Sequence, residues 1–154
     1  YINQDKQKDH GVELELQYKP GKHISLKGFY SFADGKINTV VNGKDTSYFN
    51  LLRRPKNSMG INAGIAINKN LFVSTSFSWF DKRKDAYFDN TTFQTVNVSL
   101  SSYALWDVYM EYCFEKLKCK VFADFRNITN SKYNETAGYR TLGFNAYAGL
   151  RFSL

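Results

Sequence analysis

The chain has 154 residues, enough for one ordinary domain, and carries 13 Phe, 11 Tyr and 2 Trp against only 2 Pro. Its mean hydropathy is negative and its apolar residues come almost one at a time, which argues against a soluble α or α/β domain built on longer apolar runs. No stretch approaches the roughly 18 apolar residues of a membrane helix, and no basic-then-apolar leader is present. The net charge of +7 comes from Lys and Arg scattered through turns and loops. There is no basic helix, zinc spacing or RNA-binding aromatic motif, so nucleic acid is not an expected partner. The chain opens at Tyr1-Ile2-Asn3-Gln4, as a processed or partial sequence would.

Period-2 alternation recurs seven times along the chain. In the first segment Val12, Leu14, Leu16 and Tyr18 alternate with Gly11, Glu13, Glu15, Gln17 and Lys19. In the second, Ile24, Leu26, Gly28, Tyr30 and Phe32 alternate with Ser25, Lys27, Phe29 and Ser31. The third spans Met59–Ile67, set against Gly60, Asn62, Gly64 and Ala66, and the fourth Leu71–Phe80, rich in serine on its polar face. The fifth runs Trp106–Phe114 and the sixth Leu117–Phe125. The last, Phe144–Leu154, sets Phe144, Ala146, Ala148, Leu150, Phe152 and Leu154 against Asn145, Tyr147, Gly149, Arg151 and Ser153. Each segment is therefore predicted to be a two-faced strand.

A soluble sandwich also alternates, so three further features decide. The connections at Lys19–His23, Asn68–Asn70 and Glu115–Lys116 are tight, whereas Asp34–Asn57, Asp81–Tyr103 and Asn127–Leu142 are long and polar. Short turns on one rim and long loops on the other mark an up-and-down membrane barrel. The segments have the length that crosses a bilayer at a tilt, longer than soluble strands. Aromatics gather near their ends, with Tyr18, Tyr112, Phe114 and Phe152 toward the short-turn rim and Tyr30, Phe32, Trp79 and Trp106 toward the other. The expected fold is all-β, an antiparallel up-and-down transmembrane β-barrel. Seven strands leave the ends on opposite rims, so an open part of a larger barrel is expected. A complete eight-stranded barrel with an adhesion or structural role is the alternative, if Tyr1–Lys6 or Thr95–Ser101 supplied an eighth wall strand.

The segment Asn127-Ile128-Thr129-Asn130-Ser131-Lys132-Tyr133, followed by Glu135-Thr136-Ala137-Gly138-Tyr139, resembles the N-L-F-D-K-x-Y…G-Y ending of TonB-dependent receptors. His10-Gly11-Val12-Glu13, Leu52-Arg53-Arg54-Pro55-Lys56, Leu105-Trp106-Asp107 and the terminal strand to Arg151-Phe152 fall in that family's order. The Leu-Arg-Arg-Pro-Lys and Leu-Trp-Asp segments are similar to the vitamin B12 (cobalamin) transporter branch. The resemblance implies that residues 1–154 are the C-terminal part of a 22-stranded barrel whose plug and N-terminal strands lie outside this chain. It further implies active import across a Gram-negative outer membrane of a cobalamin-like corrinoid, haem or ferric siderophore. The implied partners are outer-membrane lipid and lipopolysaccharide, the TonB complex acting through the plug, the imported ligand and a surface lipoprotein. No cofactor, metal or catalytic residue is expected.

Ligand chemistry is expected in the long loops, where aromatics and cations coincide at Tyr48, Phe49, Arg53, Tyr87, Phe93, Tyr139 and Arg140. His10 and His23 lie at opposite ends of the first hairpin, roughly 30 Å apart, too far for a shared metal. Cys113 and Cys119 fall on opposite faces, against a disulfide. Asn90, Asn97, Asn127 and Asn134 head chance Asn-x-Ser/Thr triplets. The lumenal charges (Glu13, Glu15, Lys27, Asp107, Glu111, Lys118, Lys120, Asp124, Arg126 and Arg151) read as ion pairs in a wet interior. Tyr18 opposite Ile24 would set Glu15 against Lys27. Across the turn near Lys116, Asp107 would meet Arg126 or Glu111 would meet Lys120.

Overall fold

In a hydrocarbon environment every backbone N–H and C=O must be paired, and a sheet meets that demand only through continuous ladders between neighbours. A computed structural model describes residues 6–41, 44–48 and 52–153, with side chains left aside at 39–41 and 45–48, and shows such ladders. The strands are β1 (Lys6–Tyr18), β2 (Ile24–Val41), β3 (Lys44–Tyr48), β4 (Asn57–Ala66) and β5 (Leu71–Phe80). They continue with β6 (Arg83–Asp89), β7 (Gln94–Leu100), β8 (Tyr103–Phe114), β9 (Cys119–Arg126) and β10 (Asn145–Phe152). The wall is β1-β2-β4-β5-β8-β9-β10, each strand antiparallel to the next. The seven wall strands are those expected from alternation. A ten-residue strand at about 3.4 Å per residue and 45° tilt rises roughly 24 Å, close to the apolar height of an outer-membrane barrel.

Register keeps the two faces apart across the whole wall. Leu26 faces Ala63, Phe77 faces Trp106, Val108 faces Phe125 and Val121 faces Leu150. The apolar face is bare: Leu14 is 59% exposed, Leu16 78% and Leu150 62%. The only buried hydrophobic residues among those described are Ile37, Leu100, Tyr103 and Cys119. A single layer with its apolar side uncovered is not a sandwich, whose inner faces would bury these residues. A hollow of about 630 Å³ opens against the other face, bordered by Lys27, Asn62, Ser74, Ser76, Asp107 and Asp124.

Several boundaries differ from the sequence expectation. β1 begins at Lys6 rather than Gly11, and β2 runs on to Val41, where β3 pairs with its far end. The segment Asp81–Tyr103 is not plain loop, because β6 and β7 form a separate hairpin within it. The stretch Thr95–Ser101 therefore does not supply an eighth wall strand, and among the described residues β1 and β10 end the sheet without pairing to each other. Leu117 belongs to a 3-10 turn at Glu115–Leu117 rather than to a strand. Lys118, at φ 46°, closes that turn through its N–H to the Glu115 carbonyl.

Two of the three anticipated ion pairs form, both diagonally. Tyr18 pairs with Leu26, not Ile24, so Gln17 faces Lys27, and Glu15 reaches Lys27 at 3.0 Å from one pair away. Glu111 reaches Lys120 at 2.8 Å although Cys113 is that lysine's direct neighbour. Arg126 pairs with Asp124 at 2.9 Å instead of Asp107. Asn68 shapes the β4–β5 turn by accepting the Asn70 and Leu71 N–H groups on its side-chain oxygen, an Asx turn. Cys113 and Cys119 are free thiols.

Phe29, Phe72 and Phe122 stand on the otherwise polar face. Each lies over a glycine of the adjacent strand. A Cβ on Gly60 would collide with the Phe29 ring, one on Gly149 would come within 2.6 Å of Phe122, and one on Gly64 within 3.1 Å of Phe72. The rings cover backbone that has no side chain of its own, the arrangement that rescues glycine within sheets. Gly60→Val is therefore expected to destabilise the intact barrel by about 1–3 kcal/mol through overpacking. Phe29→Ala in the same background should recover part of that loss. Denaturant unfolding in lipid vesicles checks both, and an additive double variant would disprove the ring–glycine contact.

Candidate functional site

The three long connections all lie on one rim, and a buried carboxylate ties them together. Asp85 on β6 is fully buried. Its Oδ1 accepts the Arg53 Nε–H at 2.8 Å and the Ala86 N–H at 2.8 Å, and its Oδ2 accepts the Ala137 N–H at 2.7 Å. One side chain thus joins the β2–β4 connection, the β6–β7 hairpin and the β9–β10 loop. Burial pushes the Asp85 carboxyl up, but the bonds from Ala137, Arg53 and Ala86 outweigh it and hold it below the ordinary carboxylate value. The backbone reinforces the tie, since the Arg53 N–H donates to the Lys84 carbonyl at 2.7 Å. Arg53 sits at φ 62°, a conformation a non-glycine side chain keeps only where its surroundings fix it.

A second junction lies on the lumenal side of the same rim. The Tyr103 ring stacks with Phe80, at 5.0 Å, and with Tyr133, at 4.2 Å. The buried Arg83 guanidinium covers Tyr103 at 4.7 Å, and its Nη2 donates to the Asn134 carbonyl at 2.9 Å. Asn127, itself buried and at φ 50°, organises the start of the last loop. Its N–H donates to Asp107 at 2.7 Å, its side-chain oxygen accepts the Ser131 N–H at 2.8 Å, and its Nδ2 donates to the Ser131 carbonyl at 3.0 Å. The loop-opening Asn is thus a structural hub.

The expected ligand residues divide. Arg53 gives its Nε–H to Asp85 while its side chain stays half exposed, and Asp85 also holds Ala137, two residues before Tyr139. Tyr87 is half exposed on β6. Phe93 is 78% exposed near the tip of the hairpin and packs edge-on against Phe88 at 6.4 Å. Tyr139 is 70% exposed, and Arg140 borders a cleft of about 620 Å³ between Ser99–Ser102 and Asn130–Asn134. The Tyr48 backbone pairs with Ile37 in β3, while its side chain and all of Phe49 lie outside the described residues. Asp85, Arg83 and Tyr103 were not anticipated. The only local hint was the pair of acids that flank the basic run in Asp81-Lys82-Arg83-Lys84-Asp85. Among the described residues no group of three or more His, Cys, Asp or Glu could hold a metal.

A polar-lined, lipid-sided wall with elaborated loops on a single rim defines a receptor-type transmembrane barrel. The model of the TonB dependent receptor-like β-barrel family matches residues 1–147, and the chain belongs to that family. Among solved structures it resembles the FpvAI–pyocin S2 complex, at TM-score 0.78 and 15% identity over 95% of this chain and 19% of that one. It also resembles the outer-membrane ferripyoverdine receptor of Pseudomonas aeruginosa bound to ferripyoverdine, at TM-score 0.75 and 16% identity, covering 95% and 19%. The FrpB iron transporter from Neisseria meningitidis (F3-3 variant) superposes at TM-score 0.70 with 18% identity, covering 95% and 24%. The chain therefore spans about a fifth to a quarter of these relatives, and at such identities the likeness is one of fold. No curated protein sequence matches it significantly.

Because the Asp85 carboxyl titrates lower in the folded rim, its contribution is complete above the ordinary carboxylate value of 3.8 and is lost as pH falls through the folded value. Asp85→Ala should loosen all three loops by about 2 kcal/mol locally while leaving the wall intact. Limited proteolysis, with hydrogen exchange at Ala137 and Arg53, should report the change. Loops as protected as in the parent would rule out the junction.

Proposed function

We propose that this chain is the C-terminal wall and outer rim of an outer-membrane importer, completed by a plug and further strands in the whole protein. The observation that carries the proposal is the rim itself: three long loops, held by Asp85 and the Tyr103 stack, above a polar concave face. Such a rim keeps exposed aromatic and cationic side chains in place for a large ligand without the ordering cost of free loops. Ligand then passes inward when TonB acts on the plug.

Ferric siderophore is the ligand class we favour, since the barrels of similar fold include a receptor holding ferripyoverdine and an iron transporter. The segments resembling the cobalamin branch serve the frame of this rim. Arg53 binds Asp85, Lys56 binds Asp34 at 3.0 Å, Trp106 Nε1 donates to Thr75 at 2.6 Å, and Asp107 holds the Asn127 N–H. They carry no argument for a corrinoid. Tyr139, Arg140, Tyr87 and Phe93 are the side chains this reading assigns to the ligand, and Arg53 supports them from beneath.

Cells whose only importer is the whole receptor should take up a ferric siderophore in a TonB-dependent manner, and should not take up cobalamin or haem. Cobalamin uptake would overturn the ligand class, and TonB-independent flux would overturn the mechanism. Tyr139→Ala and Arg140→Ala are each expected to weaken ligand binding about tenfold. Arg53→Ala should act through the same route as Asp85→Ala, so combining the two should add little. An additive loss would instead put Arg53 on the ligand.

A further inference from the structure

A guanidinium taken out of water without a counter-charge is costly, so buried charges in folded chains are paired. Arg83 departs from that rule. It is buried, and its Nη2 donates to the carbonyls of Asn134, at 2.9 Å, and Ser101, at 3.5 Å. Its Nε is buried without any partner among the described residues. The Tyr103 ring, 4.7 Å away, meets the guanidinium with its π face but brings no net charge. The nearby acids are engaged elsewhere. Asp85 holds Arg53, Ala86 and Ala137, and Glu135 lies 3.4 Å from the Tyr103 hydroxyl. Among the described residues no carboxylate pairs with Arg83.

That charge lies under a cleft. Ser101 and Asn134, whose carbonyls hold the guanidinium, both line the hollow of about 620 Å³ beside the last loop. Lys132 and Arg140 line it too, both exposed and neither in an ion pair among the described residues. Ser99, Ser101 and Ser102 add hydroxyls that can donate, and no Asp or Glu contributes to the lining among the described residues. Two cations at the mouth, hydroxyl donors along one wall and a buried guanidinium beneath make a site of one sign. The low dielectric around Arg83 lengthens the reach of its charge.

We propose that this cleft takes a small oxyanion, supplied as a carboxylate on the imported chelate, with Arg140 and Lys132 contacting it and Arg83 holding it electrostatically from beneath. The proposal deepens the importer reading above and rests on it for the source of the anion. Arg140 follows Tyr139 on the exposed segment that reading gives to the ligand, so a chelate seated on Tyr139 brings its substituents to the mouth of the cleft. A carboxylate there meets the flat, two-pronged donor set that arginine offers. Chelates with a free carboxylate are then preferred over their neutral amides.

Hydrogen exchange on the whole receptor in neutral detergent tests this, with succinate as the probe and succinamide as its neutral match. Succinate should slow exchange at 99–102 and 130–134 in the parent, and succinamide should not. The Lys132→Gln/Arg140→Gln double variant should bind succinate roughly tenfold more weakly, as the loss of charge-assisted hydrogen bonds requires. Arg83→Gln should weaken it as well, and Arg83→Lys should restore part of the affinity, because a charge acts from beneath. Should Arg83→Gln fail to fold, the double variant on the exposed side chains carries the test alone. No protection by succinate, equal protection by succinamide, or unchanged affinity in the double variant would overturn the proposal. Equal protection by inorganic phosphate would mark a general anion patch and overturn the assignment to a chelate carboxylate. Failure of the importer reading is separately visible: the parent would show no TonB-dependent uptake of a ferric siderophore, whatever its affinity for succinate.

Discussion

Continuity of the hydrogen-bond ladder is the constraint on which the rest of this chain depends. Each wall strand between β1 and β10 spends its backbone groups on two neighbours, which is what allows one bare apolar face to meet hydrocarbon. A one-residue slip at any seam would turn that strand's apolar side chains to the lumen. The antiparallel register therefore runs unbroken from Leu26 and Ala63 through Val121 and Leu150. The tight turns serve the same end: the Asn68 Asx turn and the left-handed Lys118 return the chain in register within a few residues.

The polar face stabilises the wall differently from a soluble core. It has no packed apolar layer, so its adhesion is local: a ring over a glycine, a diagonal carboxylate–lysine pair, a tyrosine hydroxyl on a carboxylate. Around Glu111 these converge. Lys120 binds one oxygen at 2.8 Å, the Tyr109 hydroxyl donates to the other at 2.9 Å, and the Phe122 ring contacts both Tyr109 and the Arg151 guanidinium. Exposed ion pairs such as Glu15–Lys27 contribute little individually, whereas aromatic cover of bare backbone acts on two strands at once.

The wall was legible in the sequence because lipid imposes a period on every strand that meets it. The loops were less so: β7 alternates Val96, Val98 and Leu100 with polar residues and Thr95–Ser101 was readable as a strand, but its partner β6 was not. β6 carries Arg83, Asp85, Tyr87 and Asp89 on one parity, with no apolar face to betray a strand. Its key residue is buried by partners 32 and 52 positions away, contacts that no local pattern encodes. Register was half legible. Charge complementarity identified Glu15–Lys27 and Glu111–Lys120, but long side chains close such pairs from a neighbouring rung as readily as across one. Composition marked Arg53 as a ligand residue for its charge. In the structure its Nε–H binds Asp85, while the rest of the side chain stays half exposed.

A rim anchored in this way has a mechanical consequence. Loops that bind a large ligand must hold their contacts in position yet leave a path inward. Asp85 and the Tyr103 stack fix anchor points in the loops, among them Arg53 and Ala137, rather than the exposed side-chain tips. Three connections share one carboxylate, while Phe93 and Tyr139 remain exposed beyond it. The anchor points share the buried charge, whose loss would leave Arg53 and two N–H groups without their acceptor, so they form the stiff part. The tips carry solvated aromatics whose rotamers adjust at small cost, so they form the adaptable part. The division places stiffness beside the wall, where the ladder already supplies it, and adaptability where a ligand from outside would first make contact.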